Sequence, residues 1–298
     1  MPNQDNTEIE VYKGAVFSSK TYSSKRTPVV ITFDLDETLG SFSDLEILWS
    51  AIKKFDSHTR HSHSEFVQSD FFNTLLDLYP EFLRYGILSI LEFLYTKKKK
   101  GQCDKIYIYT NNQCSHEWCD MIARYFDYKL KTDSVLFDQM VCAFKINNKI
   151  IEIGRTTHNK TYQDFIKCTL LPKKTKLCFV DNTYFSEMIN DRVYYIQPMS
   201  YLHHLTSSTV VDRFLTSPLC GTVIMQSQHF LFADFLYKQF HRARSSYSPA
   251  NKQALEMDIF VAQKMMYYIK EFFYLSTKKL RTRKINYRSG RFTRKRCR

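Results

Sequence analysis

Residues 28–40 read PVVITFDLDETLG, and the assignment of that stretch decides the fold. Pro28 opens a run of β-branched and aromatic residues, Val29-Val30-Ile31-Thr32-Phe33, without polar–apolar alternation. Such a run predicts a strand buried on both faces, the habit of a parallel sheet covered by helices on either side. Asp34 and Asp36 follow at its end, with Thr38 behind them. Carboxylates that close repel each other unless they face water or something positive sits between them.

The same grammar recurs down the chain. Lys105-Ile106-Tyr107-Ile108-Tyr109 predicts a second strand closed by Thr110-Asn111-Asn112, and SHEWCDMIARYF continues as a helix with polar capping residues ahead of it. VCAFKINNKIIEIGR predicts a hairpin turning at Asn147-Asn148. Lys176-Leu177-Cys178-Phe179-Val180 is a third strand ending at Asp181-Asn182, and Arg192-Val193-Tyr194-Tyr195-Ile196 a fourth. Between the first two strands, FFNTLLDLYPEFLRYGILSILEFLYTKK has apolar residues at helical spacing with a break near Pro80. Strands alternating with helices predict an α/β fold with a mainly parallel central sheet flanked by helices. Segments 227–243 and 251–275, rich in Phe, Tyr and Met, predict a C-terminal helical extension. The domain reading is a loose polar arm over 1–27, an α/β body over 28–200, the helical extension over 201–277 and a basic tail over 278–298.

The 298 residues are 44% hydrophobic and 24% charged, a globular balance that excludes a disordered chain. The net charge of +13 is unevenly spread: residues 278–298 hold eleven Lys and Arg and no acid, which leaves the rest close to neutral. That tail reads equally as a solvated end and as a contact for nucleic acid or acidic protein, with Tyr287 and Phe292 interleaved for stacking. Eight cysteines form no CxxC pair and no framework, so reduced thiols and an intracellular location are expected. The polar N-terminus does not read as a signal peptide, and no run is long enough to cross a bilayer.

Three predicted strands end in polar groups: Asp34 and Asp36, Thr110, and Asp181 with Asn182. In open α/β sheets ligands bind outside the carboxyl ends of the strands, so one sheet would gather these groups at one edge. Lys160, in RTTHNKTYQDF, lies ahead of the third strand and within reach of that edge; Lys145, Lys149 and Lys167 compete for its role. A Mg²⁺ ion with its preference for hard oxygen ligands and phosphate would reconcile the acids. One carboxylate could then attack phosphorus while the other handles the proton.

This ordered set resembles the four motifs of the haloacid dehalogenase superfamily, and DLDETL with VDN is most similar to its carboxy-terminal-domain phosphatases, the small or NLI-interacting-factor type. Similar chains occur in large DNA viruses, iridoviruses among them, which would place this one in a host nucleus or cytoplasm. The likeness covers roughly residues 28–200 and implies a Rossmann-like fold. It implies Asp34 as nucleophile and metal ligand, and Asp36 as general acid/base that binds metal through its backbone carbonyl. Thr110 would hold the phosphoryl oxygens with Thr38 and Asn111 beside it, and Lys160 would neutralise charge. Asn182 would be a metal ligand, with Asp181 tuning the metal or its waters.

The resemblance implies a Mg²⁺-dependent phosphoserine or phosphothreonine phosphatase, its substrate a phosphoprotein such as the C-terminal repeat of RNA polymerase II. Departures from the pattern are Gly40-Ser41 where an apolar residue and histidine usually stand, Arg84-Tyr85-Gly86 for Arg-Pro-Gly, and Thr183-Tyr184 for Ser-Pro. They put the peptide substrate in question. Thr110-Asn111-Asn112 also resembles the Thr-Asn-Gln of polynucleotide 3′-phosphatases, which keeps a nucleic-acid 3′-end or nucleotide phosphatase as the alternative. A non-catalytic protein docking through its basic tail is a third. His58, His61 and His63 have no Cys or acid at ligand spacing and read as a solvated loop. Cys114 and Cys119 read as packing residues.

Overall fold

The computed structural model describes residues 8–18, 26–55, 65–243 and 252–277, and the side chains of 65–68 are not among what it describes. The histidine loop, the N-terminal seven residues and the whole basic tail lie outside that set. In chain order the elements are β1 (Ile9–Lys13), α1 (Ala15–Ser18), β2 (Val29–Phe33), α2 (Ser43–Phe55), α3 (Glu65–Asp77), α4 (Ile87–Lys99), β3 (Lys105–Tyr109), α5 (His116–Leu130) and β4 (Gln139–Val141). There follow β5 (Lys145–Ile146), β6 (Lys149–Ile150), α6 (Tyr162–Thr169), β7 (Lys176–Val180), β8 (Val193–Pro198), α7 (Ser207–Thr216), α8 (His229–Ala243) and α9 (Lys252–Thr277).

Six strands form one sheet in the order β1-β8-β7-β2-β3-β4, parallel throughout except for β1, which pairs antiparallel with β8. The architecture is α/β, as the alternation of strands and helices predicts, and Rossmann-like, as the resemblance implies. β2 lies inside the sheet with all five residues buried, which is why it carries no alternation. Its odd-numbered side chains, Val29, Ile31 and Phe33, face the larger apolar layer built with α2, α4, α5 and the C-terminal helices. Val30 faces a smaller layer of Tyr107, Tyr109, Phe165, Leu177, Phe179 and Tyr195. β5 and β6 form the separate hairpin predicted at Asn147-Asn148, whose φ angles of 50° and 62° meet the left-handed demand of a two-residue hairpin turn.

Two expectations are corrected. Within the arm predicted over 1–27, residues 9–13 are an ordered edge strand: β1 is in register with β8 from Ile9↔Pro198 to Lys13↔Tyr194, and Tyr12 packs against Tyr184 and Tyr195. Nor does residue 200 mark a physical boundary. Val210, Phe214, Phe232, Met265, Ile269 and Phe272 belong to the same apolar layer as Leu45, Leu91 and Ile122. Buried apolar area is the main favourable term in folding, so body and extension share one source of stability.

Candidate active site

The sheet order reverses beside β2. From β2 the chain steps to β3 and β4 on one side, then returns to β7 and β8 on the other. The crevice at such a reversal, outside the carboxyl ends of the strands, is where this architecture leaves space for a ligand. Register decides what lines it. Phe33 is level with Ile108 on one neighbour and Val180 on the other. Asp34 and Asp181 therefore leave adjacent strands at the same height, and the Asp34 N–H continues the ladder to the Val180 carbonyl at 2.9 Å.

Lys160 joins the two acids. Its Nζ donates to Asp34 Oδ1 at 2.5 Å and to Asp181 Oδ2 at 2.6 Å, with the lysine side chain 2% exposed. Lys145, Lys149 and Lys167 lie on the hairpin or the outer side of α6, each partly or fully exposed, which leaves Lys160 as the lysine of this site. The chain delivers it there by a cap: Thr161 starts α6 with its hydroxyl accepting the Asp164 N–H at 3.0 Å, and the Thr161 N–H donates to the Tyr109 hydroxyl. The rings of Tyr109 and Phe185 lie 5.7 and 5.5 Å from the ammonium. Burial works against its charge, but the two carboxylates outweigh that and hold Lys160 above the ordinary lysine pKa. Burial pushes Asp181 above the carboxylate range, with Lys160 pulling it down and Asp34 adding to the push.

Asp36 projects from the turn after β2. Burial raises its pKa to about 6; a hydrogen bond from Asn112 Nδ2 at 2.6 Å opposes the rise and the Asp34 charge adds to it. Asn112 is held in that orientation because its Oδ1 accepts the Cys114 N–H at 2.6 Å. Thr110 ends β3 at 1% exposure, its Oγ1 accepting the Asn112 N–H at 3.0 Å and keeping its own hydrogen to donate.

Three assignments change. Thr38, expected to touch substrate, is fully buried: its hydroxyl donates to Asn182 Oδ1 at 2.9 Å and accepts the Asn182 N–H at 3.1 Å, so it positions Asn182. Asn111 turns away from the crevice, its Oδ1 held by Arg155 Nη2 at 2.7 Å. Asp181, expected beside a metal, has both oxygens occupied, one by Lys160 and the other by the Thr183 N–H at 2.8 Å. The thiols of Cys114 and Cys119 are pushed up by burial, which suits packing and not nucleophilic attack.

Two arginines support the crevice: Arg84, noted in the sequence without a role, and Arg155, which sequence reasoning passed over. Arg84, 4% exposed, donates Nε to the Thr38 carbonyl at 2.6 Å and Nη2 to the carbonyls of Met199, at 2.7 Å, and Glu37. It thereby pins the DLDETLG turn, where Glu37 sits at φ 57°, to the segment after β8. Arg155, 2% exposed, donates to the carbonyls of Thr110, Cys142, His158 and Asn159 as well as to Asn111, tying the ends of β3 and β4 to the loop that carries Lys160. No signal in the sequence separates Arg155 from a surface charge.

Among the described residues no group of three or more His, Cys, Asp and Glu side chains forms a ready-made metal cage. Mg²⁺ does not require one, since it usually keeps several waters and one or two carboxylates. The donors left over suit it: no hydrogen bond among the described residues reaches Asp34 Oδ2, and Asp36 lies on the turn beside it, whereas Asp181 is taken up by Lys160 and the Thr183 N–H. No family model matches the chain, and neither does any curated protein or solved structure. No helix among the described residues is long and apolar enough to cross a membrane.

Proposed function

We propose that the protein is a Mg²⁺-dependent phosphatase of the haloacid dehalogenase type, acting on phosphoserine or phosphothreonine in a protein. One observation carries this reading: Lys160 Nζ lies within 2.6 Å of both Asp34 and Asp181, which arrive from strands 147 residues apart in sequence (181 less 34), at the reversal of the sheet. Burying three ionisable groups in contact is costly. An incoming phosphate gives the arrangement a use, because it needs a nucleophile and a cation at the same point.

Asp34, the main chain of Asp36 and Asn182 Oδ1 would hold the ion, which supplies positive charge to the phosphoryl oxygens and so lets one anion approach another. The protein's own groups do the rest. An oxygen of Asp34 attacks phosphorus, the ester P–O bond breaks, and the proton on Asp36 passes to the leaving oxygen. Lys160 and the Thr110 hydroxyl neutralise and orient the phosphoryl oxygens during transfer. In the second half, Asp36 takes a proton from water as that water attacks phosphorus. The acyl phosphate splits, and Asp34 and inorganic phosphate are released. Asn112 orients Asp36 through both stages.

The test is turnover of an aryl phosphate with Mg²⁺ by the wild-type chain and by Asp34→Asn. The reading expects loss of turnover to background in the variant, and equal rates would end it. A nucleic-acid 3′-end phosphatase is the second reading, favoured by Thr110-Asn111-Asn112 and by Asn112 holding the acid/base. Faster hydrolysis of a 3′-phosphorylated oligonucleotide than of a phosphopeptide at matched salt would select it.

A further inference from the structure

The C-terminal helix α9 carries a second set of groups that the phosphatase reading does not use. α9 closes over β7 and β8, and Lys176, the first residue of β7, donates Nζ to the Ser276 carbonyl at 2.9 Å. The end of α9 therefore lies at the amino ends of the strands, about 16 Å of strand away from the candidate site. A cavity of about 420 Å³ opens there between α4 and α9, lined by Phe93, Lys97, Lys270, Phe273, Tyr274 and Thr277 among others. Its two ammonium groups lie over its rings: Lys97 is 5.2 Å from Phe93 and 5.6 Å from Phe273, and Lys270 is 5.6 Å from Phe93.

The outer face of α9 leads into this cavity. Phe260, Tyr267 and Tyr274 recur every seven residues and are 38%, 60% and 61% exposed. Seven residues are two helical turns, so the rings stand in one row about 10 Å apart. Gln263, Lys264 and Lys270 lie among them, Lys264 being 5.3 Å from the Phe260 ring. From Phe260 to Thr277 the one acid is Glu271, and it turns to the other side to bind Lys13 and Tyr194. Immediately after Thr277 the sequence runs on with eleven Lys and Arg and no acid.

We propose that this face of α9, with the cavity at its end, binds single-stranded nucleic acid. Exposed rings in a row offer stacking to any unpaired base, while lysines between them and the basic segment beyond neutralise phosphates; together these are the two components of sequence-tolerant single-strand binding. A purely electrostatic contact would need no exposed rings, and a surface packing on a second copy would not need a following sequence of eleven cations with no acid among them. The inference stands apart from the catalytic reading, because it needs neither metal nor a terminal phosphate.

The experiment is fluorescence anisotropy of a labelled short oligothymidylate with the full chain at several salt concentrations. A duplex of the same length and anionic phosphatidylserine vesicles serve as competing probes, and melting curves check the fold of each variant. The single strand is expected to bind more tightly than the duplex. Phe260→Ala, Tyr267→Ala and Tyr274→Ala are each expected to weaken it roughly tenfold, and Lys97→Gln with Lys270→Gln should flatten the salt slope by about 1.4. Equal single-strand and duplex affinity, untouched by the ring substitutions in folded variants, would overturn the proposal and leave only attraction by the basic segment. Ring-dependent binding to vesicles in place of the oligonucleotide would overturn it in favour of a membrane surface. Ring-dependent self-association without oligonucleotide binding would overturn it in favour of a second copy.

Discussion

Lys160 is the residue on which the crevice turns, since its one charge is shared by Asp34 and Asp181. Lys160→Met leaves both acids buried without a cation, and losing one partner of a buried pair costs about 3–5 kcal/mol. Thermal melts should show that deficit at neutral pH and show it shrinking in acid, where the orphaned carboxylates take up protons. Asp36 carries the opposite sign. Its folded pKa is raised to about 6, so the native state binds its proton more tightly than the unfolded chain does. In EDTA its contribution to stability is complete below the ordinary carboxylate pKa and is lost as pH rises through about 6, on the order of 3 kcal/mol. Asp36→Asn should therefore melt higher than wild type at neutral pH without metal, while losing turnover. A variant that melts lower, or a wild-type melt flat across that range, would contradict this account.

At the scale of elements, the turn after β2 shows why residue 40 is glycine. A Cβ on Gly40 would lie 2.4 Å from both the Phe82 carbonyl and the Phe42 ring. The neighbouring 3₁₀ turn over Pro80–Phe82 approaches so closely that the Ser41 N–H donates to Phe82 at 2.7 Å. Gly40→Ala should cost about 1–3 kcal/mol and lower turnover by displacing Asp36, measured by melting and by steady-state rates. Arg155→Lys tests the other support. A lysine cannot reach five oxygens held by a planar fork, so kcat should fall by more than the melting point implies, because Thr110 and the Lys160 loop lose their common tie.

Legibility at this scale follows from physics. β2, β3 and β7 are plain in the sequence because burial on both faces leaves continuous apolar runs. Lys160 is legible only through the likeness of KTYQDF to a motif lysine followed by a helix, since spacing alone leaves Lys145, Lys149 and Lys167 in competition with it. β1 is not, since IEVYK is five residues long and its partner lies 185 residues away across the Ile9–Lys13 register. β4 has three residues and no run at all. Arg155 looks like a surface charge until its carbonyl partners are known.

At the scale of the whole molecule, the C-terminal helices complete the core. Helical spacing in residues 227–243 and 251–275 announces apolar faces without saying what covers them: α9 packs on β1, β7 and β8, and α8 packs on α2 and α7. Glu271 on α9 binds Lys13 of β1 at 2.9 Å and the Tyr194 hydroxyl of β8, and His203 reaches Asp44 of α2 at 3.2 Å in a buried contact. The full chain should unfold in one transition, with the fluorescence of Trp49 and Trp118 coincident with far-ultraviolet dichroism. A chain ending at residue 200 should give no cooperative melt, and a sharp transition in it would show that the body folds alone.

The central claim is that Asp34 receives the phosphoryl group. Its most direct measurement is acid quenching of the Mg²⁺-loaded protein during turnover, followed by mass spectrometry of its peptides. The account predicts a phosphoryl group on the peptide carrying Asp34, absent from Asp34→Asn and accumulating in Asp36→Asn. A phosphoryl group on another residue, or turnover with none on Asp34 in either the wild type or Asp36→Asn, would contradict it.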